Sequence, residues 1–158
     1  MKVFEYSDKQ KISTLLKGKK VVLVGGCFDI LHFGHIKFLE KAKKNGNFLV
    51  VALESDITIF RKKKKKPFHN IEERAEVLSA VRHVDLVIKL PFFNKDEDYF
   101  KMTKFIKPSV IAITKGDKML ENKKRMAKAT GGKILTVSKF IKNFSSTNAL
   151  EYETIFSD

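Results

Sequence analysis

Short apolar runs alternate with longer amphipathic stretches along the chain. The runs are dominated by valine, isoleucine and leucine, which is typical of strands that are buried on both faces of a sheet. The run at residues 48–53 contains no polar side chain at all. We predict five strands, at residues 21–24, 48–53, 86–88, 110–113 and 133–137.

Between these runs, apolar residues recur every three or four positions, which is the period of an α-helix. Asn70 and Glu73 have the spacing of a capping box and predict a helix start. We predict helices over residues 8–17, 34–44, 70–82, 96–106 and 119–130, with a last helix beginning near 145–147. This alternation predicts an α/β fold, a Rossmann-like doubly wound sheet of about five parallel strands with helices on both faces.

The unusual stretches of the chain fall where predicted strands end. We see no repeat and no linker, so we expect one domain over residues 1–158, with a helical extension at 1–18 and a core at 19–150. Ligands of doubly wound sheets bind beyond the carboxyl ends of the strands. The stretches that converge on this edge are residues 25–35, 54–56 with the basic run that follows, 114–117 and 145–147.

Charge narrows the range of partners. The 158 residues include 32 Lys+Arg and 18 Asp+Glu, for a net charge of +14. Residues 61–66, RKKKKK, form one uninterrupted basic run that we predict to be either a flexible loop or the end of a helix. Such a balance favours polyanionic ligands such as nucleotides, although a solvated surface explains the background charge equally well.

Other features of the sequence exclude whole classes of protein. No run of 18 apolar residues occurs, and the first ten residues lack the apolar core of a signal peptide, so we expect no membrane partner. Cys27 is the only cysteine, which rules out an internal disulfide and fits a reducing compartment. We therefore expect a cytoplasmic protein.

Two histidines stand where the first strand gives way to a helix. Gly25 and Gly26 end the strand and let a phosphate approach the backbone beside the N-terminus of the helix. His32 and His35 share one helix face, and Gly34 between them leaves space for a substrate. They fit phosphate-binding groups, a packed neutral pair, or two ligands of a metal whose third ligand is missing.

Residues 25–35, GGCFDILHFGH, resemble the GxFDxxHxGH signature of the cytidylyltransferase-like nucleotidyltransferases. Later segments resemble the family in the same order. These segments are residues 48–56 with the basic run, 73–74, 82–85, 115–117 and 144–147. The resemblance implies in-line transfer of a nucleoside monophosphate from CTP or ATP to a small phosphorylated acceptor, a polyol- or sugar-phosphate, with release of pyrophosphate.

The same resemblance implies roles for individual residues. Catalytic roles fall to His32, His35 and Lys63. Nucleotide binding falls to Gly25, Gly26, Cys27, Phe28, Gly34, Lys62, Lys64, Gly116, Asp117, Ser145, Ser146 and Thr147. Acceptor binding falls to Asp29, Arg74 and Arg82. The two arginines are eight positions apart, so we expect them on similar faces of one helix. Mg²⁺ is expected to arrive with the nucleoside triphosphate and not to be held by a dedicated protein cage.

Several of these assignments have structural alternatives. Asp29 and Asp117 also suit turns, Arg74 and Arg82 also suit a surface, and residues 145–147 also suit a plain helix cap. The patterns at residues 115–117 and 131–132 resemble sugar-phosphate adenylyltransferases of the heptose-phosphate type. Alternative functions are FMN adenylyl transfer and non-catalytic binding of nucleotide or nucleic acid. No nucleic-acid partner is expected, and a homodimer is considered because the family is often dimeric.

Overall fold

The fold comes from a computed structural model, which describes residues 2–138. Over this range strands and helices alternate, and their bounds lie close to those predicted. In chain order the elements are β1 (Val3–Glu5), α1 (Lys9–Leu16), β2 (Val21–Gly26), α2 (Phe33–Lys43), β3 (Phe48–Leu53), α3 (Asp56–Lys63), α4 (Ile71–Ala80), β4 (Leu86–Lys89), α5 (Asp96–Ile106), β5 (Val110–Thr114), α6 (Leu120–Ala129) and β6 (Lys133–Ser138).

All six described strands are parallel and follow the order β1-β4-β3-β2-β5-β6. The predicted α/β fold is therefore confirmed, with one strand more than expected. The additional strand, β1, places Val3 beside Val87 at the edge of the sheet. Residues 1–18 are thus not a purely helical extension, because three residues without a clear alternating pattern gain their hydrogen bonds from β4.

Helices cover both faces of the sheet. On one face α2 and α4 contribute Leu39 and Leu78, both completely buried. On the other face α1 and α5 contribute Ile12 and Met102, and α6 adds Met126. The four central strands are therefore covered on both sides, which explains their continuous apolar runs.

The sheet has its switch point between β2 and β5. From β2 the chain continues through α2 to β3 on one side, whereas β5 lies on the other side of β2. The carboxyl ends of these strands diverge there, and such crevices are where doubly wound folds bind ligands. The turn at residues 25–35 lies directly at this point, as the sequence predicts.

The ends of α3 and α4 test predictions about the basic run and the two arginines. Arg61 and Lys63 lie in the last turn of α3, so the basic run begins as the end of a helix. Helix α4 ends at Ala80, so the expectation that Arg74 and Arg82 share one helix face is wrong. The capping box at the start of α4 is confirmed, because Asn70 and Glu73 exchange both of its hydrogen bonds.

None of the helices within residues 2–138 has both the length and the apolar run that a membrane crossing requires.

Candidate active site

The turn that follows β2 is closely packed around Gly26. Phe28 has a left-handed backbone with φ of 45°, and its ring is buried. A Cβ added at Gly26 would lie 2.9 Å from Cε2 of Phe28, whereas a Cβ at Gly25 would meet only the Ala52 carbonyl oxygen at 3.9 Å. Glycine at position 26 therefore leaves the space that the ring of Phe28 occupies.

This packing gives a prediction for stability. Gly26→Ala is expected to lower the free energy of unfolding by about 1–3 kcal/mol, because the new methyl group displaces a buried ring. Gly25→Ala is the matched control and is expected to change stability by less than about 0.5 kcal/mol, since its methyl group would meet only the Ala52 carbonyl oxygen at an ordinary van der Waals distance. Urea unfolding of both variants measures the difference, and equal losses would contradict the prediction.

His32 and His35 lie side by side at the start of α2. His32 is the N-cap of the helix, and the two imidazole rings stack with centroids 3.8 Å apart and an interplanar angle of 24°. The ring of Phe28 packs against His35 with centroids 5.2 Å apart. Nδ1 of His35 is buried and has no hydrogen-bond partner within the described part of the chain. The pair thus stands at the N-terminus of a helix, where the helix dipole has its positive end.

Both imidazoles are neutral near pH 7. Burial lowers the pKa of His35 to about 4, and the neighbouring His32 adds to this effect. Burial also lowers the pKa of His32. A neutral imidazole still offers one N–H donor, so the pair can donate hydrogen bonds to phosphate oxygens without carrying charge in the empty site.

The low pKa of His35 predicts that stability depends on pH. Between pH 6.5 and about 4 the unfolded chain binds a proton at this residue and the folded chain does not. The free energy of unfolding therefore falls as the pH falls through this range, by an amount on the order of 3 kcal/mol from His35. Urea unfolding at the two ends of the range measures it. His35→Asn should remove this part of the pH dependence, and an unchanged dependence in the variant would contradict the assignment.

The basic run is divided between the site and the solvent. Nζ of Lys62 donates to Oε1 of Glu54 at 3.3 Å. Lys63 is exposed, and its charge contributes to the low pKa of His35 after the larger effects of burial and of His32. Lys64 follows the last turn of α3 in a left-handed conformation and is exposed.

A known family shares this arrangement of sequence features. The sequence profile described as cytidylyltransferase-like matches residues 23–151. The chain belongs to the cytidylyltransferase-like family. It is accordingly an enzyme of the nucleotidyltransferase type, and the family predicted from residues 25–35 is confirmed.

Relatives within the family agree with this result. The chain is 33% identical over 152 residues to the bifunctional protein HldE of Aliarcobacter butzleri, covering 96% of this chain and 30% of the relative. It is 42% identical over 107 residues to the bifunctional protein HldE of Campylobacter jejuni strain RM1221, covering 66% of this chain and 22% of the relative. The chain therefore spans less than a third of the length of these curated relatives.

Solved structures show the same fold. The lipopolysaccharide core biosynthesis protein of Thermoplasma volcanium is 32% identical, with a TM-score of 0.66 over 78% of this chain and 99% of that chain. The pantoate-beta-alanine ligase of Francisella tularensis is 16% identical, with a TM-score of 0.61 over 100% of this chain and 78% of that chain. The second likeness concerns the fold alone.

Arg74 has a different position from the one expected of a family acceptor residue. Its side chain is completely buried, and the guanidinium donates to the Cys27 carbonyl at 2.6 Å, the His69 carbonyl at 3.1 Å and Asp56 Oδ1 at 2.5 Å. Because these bonds direct the guanidinium into the protein, the expectation that Arg74 faces the acceptor phosphate is corrected. Arg74 instead fixes the turn that carries Cys27 between β2 and α2.

Asp29 and Arg82 both make contacts within the protein. Asp29 is buried and accepts a hydrogen bond from the backbone N–H of His69 at 3.1 Å, so it holds the loop before α4. Arg82 is exposed and its Nε donates to His83 Nε2 at 3.2 Å. Arg82 lies near the amino end of β4, at the opposite edge of the sheet from the histidines. Its acceptor role is therefore not supported by its position.

The turn after β5 is ordered by Asp117. The carboxylate accepts from Nζ of Lys123 at 2.7 Å and from the backbone N–H of Met119 at 2.8 Å. Gly116 has φ of 83°, which suits glycine. The nucleotide-binding role of this pair stays a prediction. Ser145, Ser146 and Thr147 lie outside the described residues.

The described residues offer no ready-made cluster of metal ligands. Among residues 2–138, no three His, Cys, Asp or Glu side chains cluster in a way that could hold a metal ion. The three rim carboxylates Asp29, Asp56 and Asp117 each accept hydrogen bonds from protein donors. Mg²⁺ usually binds proteins through few carboxylates together with substrate phosphates, so a triphosphate would have to supply most of its ligands.

The sequence analysis missed a cavity of about 380 Å³ at the rim. It opens beside Gly26 and Cys27 and extends between α5 and α6. At its side, Tyr99 Oη lies 3.0 Å from both carboxylate oxygens of Glu54. Tyr99 lies 45 residues from Glu54 in sequence. The position of Glu54 directly after β3 was the available signal, but nothing local pointed to its partner. The remaining lining side chains include Arg61, Phe92, Phe93, Asn94, Asp96 and Asn122.

Proposed function

We propose that this enzyme transfers a nucleoside monophosphate from ATP or CTP to a small phosphorylated acceptor of the sugar- or polyol-phosphate type. An oxygen of the acceptor phosphate attacks the α-phosphorus in line and forms the new P–O bond. The bond from the α-phosphorus to the bridging oxygen breaks, and its electron pair leaves with pyrophosphate. The observation that carries the proposal is the stacked pair of neutral imidazoles, His32 and His35, at the N-terminus of α2.

The geometry supports a division of labour among the residues at this edge. The backbone of Gly25 and Gly26 and the start of α2 would receive the triphosphate. The imidazoles of His32 and His35 would donate hydrogen bonds where negative charge grows during transfer, and Lys63 would add a positive charge from α3. Positioning and charge stabilisation account for most of the catalysis in phosphoryl-type transfer, so no covalent nucleophile is needed.

The choice of a sugar or polyol acceptor rests on similarity and on the cavity. The patterns at residues 115–117 and 131–132 resemble sugar-phosphate adenylyltransferases, and the name of the similar Thermoplasma protein refers to lipopolysaccharide core biosynthesis. The cavity beside Gly26 has the size of a small-molecule site. We place the acceptor there, with its phosphate towards His35 and Lys63.

A pyrophosphate-release screen tests the proposal. The purified protein is incubated with Mg²⁺, each of the four common nucleoside triphosphates, and a panel of hexose and heptose 1-phosphates, glycerol 3-phosphate, phosphoethanolamine and FMN. We expect release with ATP or CTP and a sugar or polyol phosphate, and strong loss of release in His32→Ala.

Other outcomes would redirect the assignment. Release with FMN alone would favour the FMN adenylyl-transfer alternative. Triphosphate binding without release for any acceptor would favour a non-catalytic nucleotide-binding protein. Tight binding to any oligonucleotide, with strong salt dependence, would favour nucleic-acid binding through the basic run.

A further inference from the structure

A buried carboxylate lies where the acceptor is proposed to bind. Glu54 follows β3 directly and is only 8% exposed. Both of its carboxylate oxygens lie 3.0 Å from Oη of Tyr99 and accept from that hydroxyl group. Oε1 also accepts from Nζ of Lys62 at 3.3 Å. The backbone N–H of Glu54 donates to the carbonyl of Gly26, so the residue is joined to the phosphate-side turn as well.

The hydrogen-bonding capacity that Glu54 leaves open towards the cavity is that of an acceptor. The single O–H of Tyr99 donates to Glu54. Burial raises the pKa of Tyr99, and the charge of Glu54 raises it further, so the phenol keeps its proton. Nδ2 of Asn122 donates to Asp96 at 2.9 Å. A carboxylate has about four lone-pair sites, and the protein donors on Glu54 leave part of this capacity open. A ligand group that meets Glu54 must therefore donate.

The charges around the cavity indicate which donor fits. An ammonium group would meet the cations of Lys62, Lys95 and Arg61, and Arg61 already covers the ring of Phe92 at 4.5 Å. A hydroxyl group is uncharged and can donate to a carboxylate while accepting from a lysine.

We propose that Glu54, held in place by Tyr99 and Lys62, binds a hydroxyl group of the acceptor and selects polyhydroxylated monophosphates over aminoalkyl phosphates. This inference rests on the proposed nucleotidyl-transfer function and adds to it a residue that determines specificity. Glu54 contacts the end of the acceptor remote from the attacking phosphate, so it acts on acceptor affinity and leaves nucleotide affinity unchanged.

Substitution and substrate truncation together test the inference. In Glu54→Gln the acceptor KM of a hexose 1-phosphate is expected to rise ~10–100-fold, because a hydrogen bond to a charged group is lost, whereas the KM of the nucleotide changes less than about twofold. A series of single-deoxy hexose 1-phosphates is measured on both proteins. With the wild-type enzyme, one deoxy analogue should have an acceptor KM that is higher by a similar factor. With Glu54→Gln, the same deoxy analogue should cause no further rise in the acceptor KM. Glu76→Gln, an exposed glutamate on α4, is the matched control.

Equilibrium binding separates this inference from the proposed function. Calorimetric titration of the same hexose 1-phosphates reports the Glu54 contact whether or not pyrophosphate is released. Binding that weakens in Glu54→Gln without any turnover would overturn the proposed reaction and support the contact. If the enzyme turns over and every deoxy analogue has the same acceptor KM as its parent sugar phosphate, the proposed contact is overturned and the proposed reaction stands. If Glu54→Gln does not fold, the deoxy series on the wild-type protein decides alone, and equal affinity for the parent and every deoxy analogue overturns the inference.

Discussion

His35→Ala is expected to lower kcat for nucleotidyl transfer by ~10²–10³-fold, with a much smaller change in the KM of the nucleotide. The imidazole is preorganised, because it stacks on His32 and packs against Phe28. It is neutral in the empty site, so its N–H can meet developing charge on the phosphates without first releasing a salt bridge. Steady-state kinetics with the best substrate pair from the pyrophosphate screen measures the effect.

The matched control for this change is His83→Ala. His83 precedes β4, at the amino edge of the sheet, whereas the stacked pair lies at the carboxyl edge. Its removal is expected to leave kcat within about twofold, as for a residue away from the chemistry. Equal losses of kcat in the two variants, or a His35→Ala variant that is fully active, would contradict the catalytic assignment. Unfolding in urea separates a catalytic loss from a folding defect.

Arg74→Leu is expected to lower the free energy of unfolding by about 3–5 kcal/mol. The substitution removes a completely buried guanidinium, and Oδ1 of Asp56 and the carbonyls of Cys27 and His69 lose the hydrogen bonds that it donates. Unpaired polar groups of this kind are costly because water cannot replace the lost bonds. The lower end of the range is expected, since Asp56 keeps 38% of its side chain exposed.

Arg82→Leu controls for the loss of a positive charge. Arg82 is exposed and lies two residues beyond the end of α4, so its removal is expected to change stability by less than about 0.5 kcal/mol. Urea unfolding followed by circular dichroism compares the two variants. A shared midpoint would show that the buried network around Arg74 contributes nothing. Arg74→Leu should also lower activity, because the turn that carries Cys27 loses its support.

Local patterns were sufficient for most of the fold. The strand at residues 48–53 and the capping box at Asn70 are encoded by neighbouring residues, and both occur as predicted. The edge strand β1 was missed because Val3–Glu5 is too short to show a period, and its hydrogen bonds come from β4, more than 80 residues away in register with Val87. The shared face of Arg74 and Arg82 was wrong because α4 ends at Ala80, where the chain turns towards β4.

The sequence by itself determined the family, the parallel α/β architecture and the paired histidines, because each depends on residues close together in the chain. His32 and His35 are three positions apart, so any helix start brings their rings together. Only the tertiary structure decided that Arg74 is an internal support for Cys27, 47 residues away, and that Tyr99 reaches Glu54 across 45 residues. Contacts at such separations depend on how strands and helices pack, and the periodicity of one segment carries no information about its distant partner.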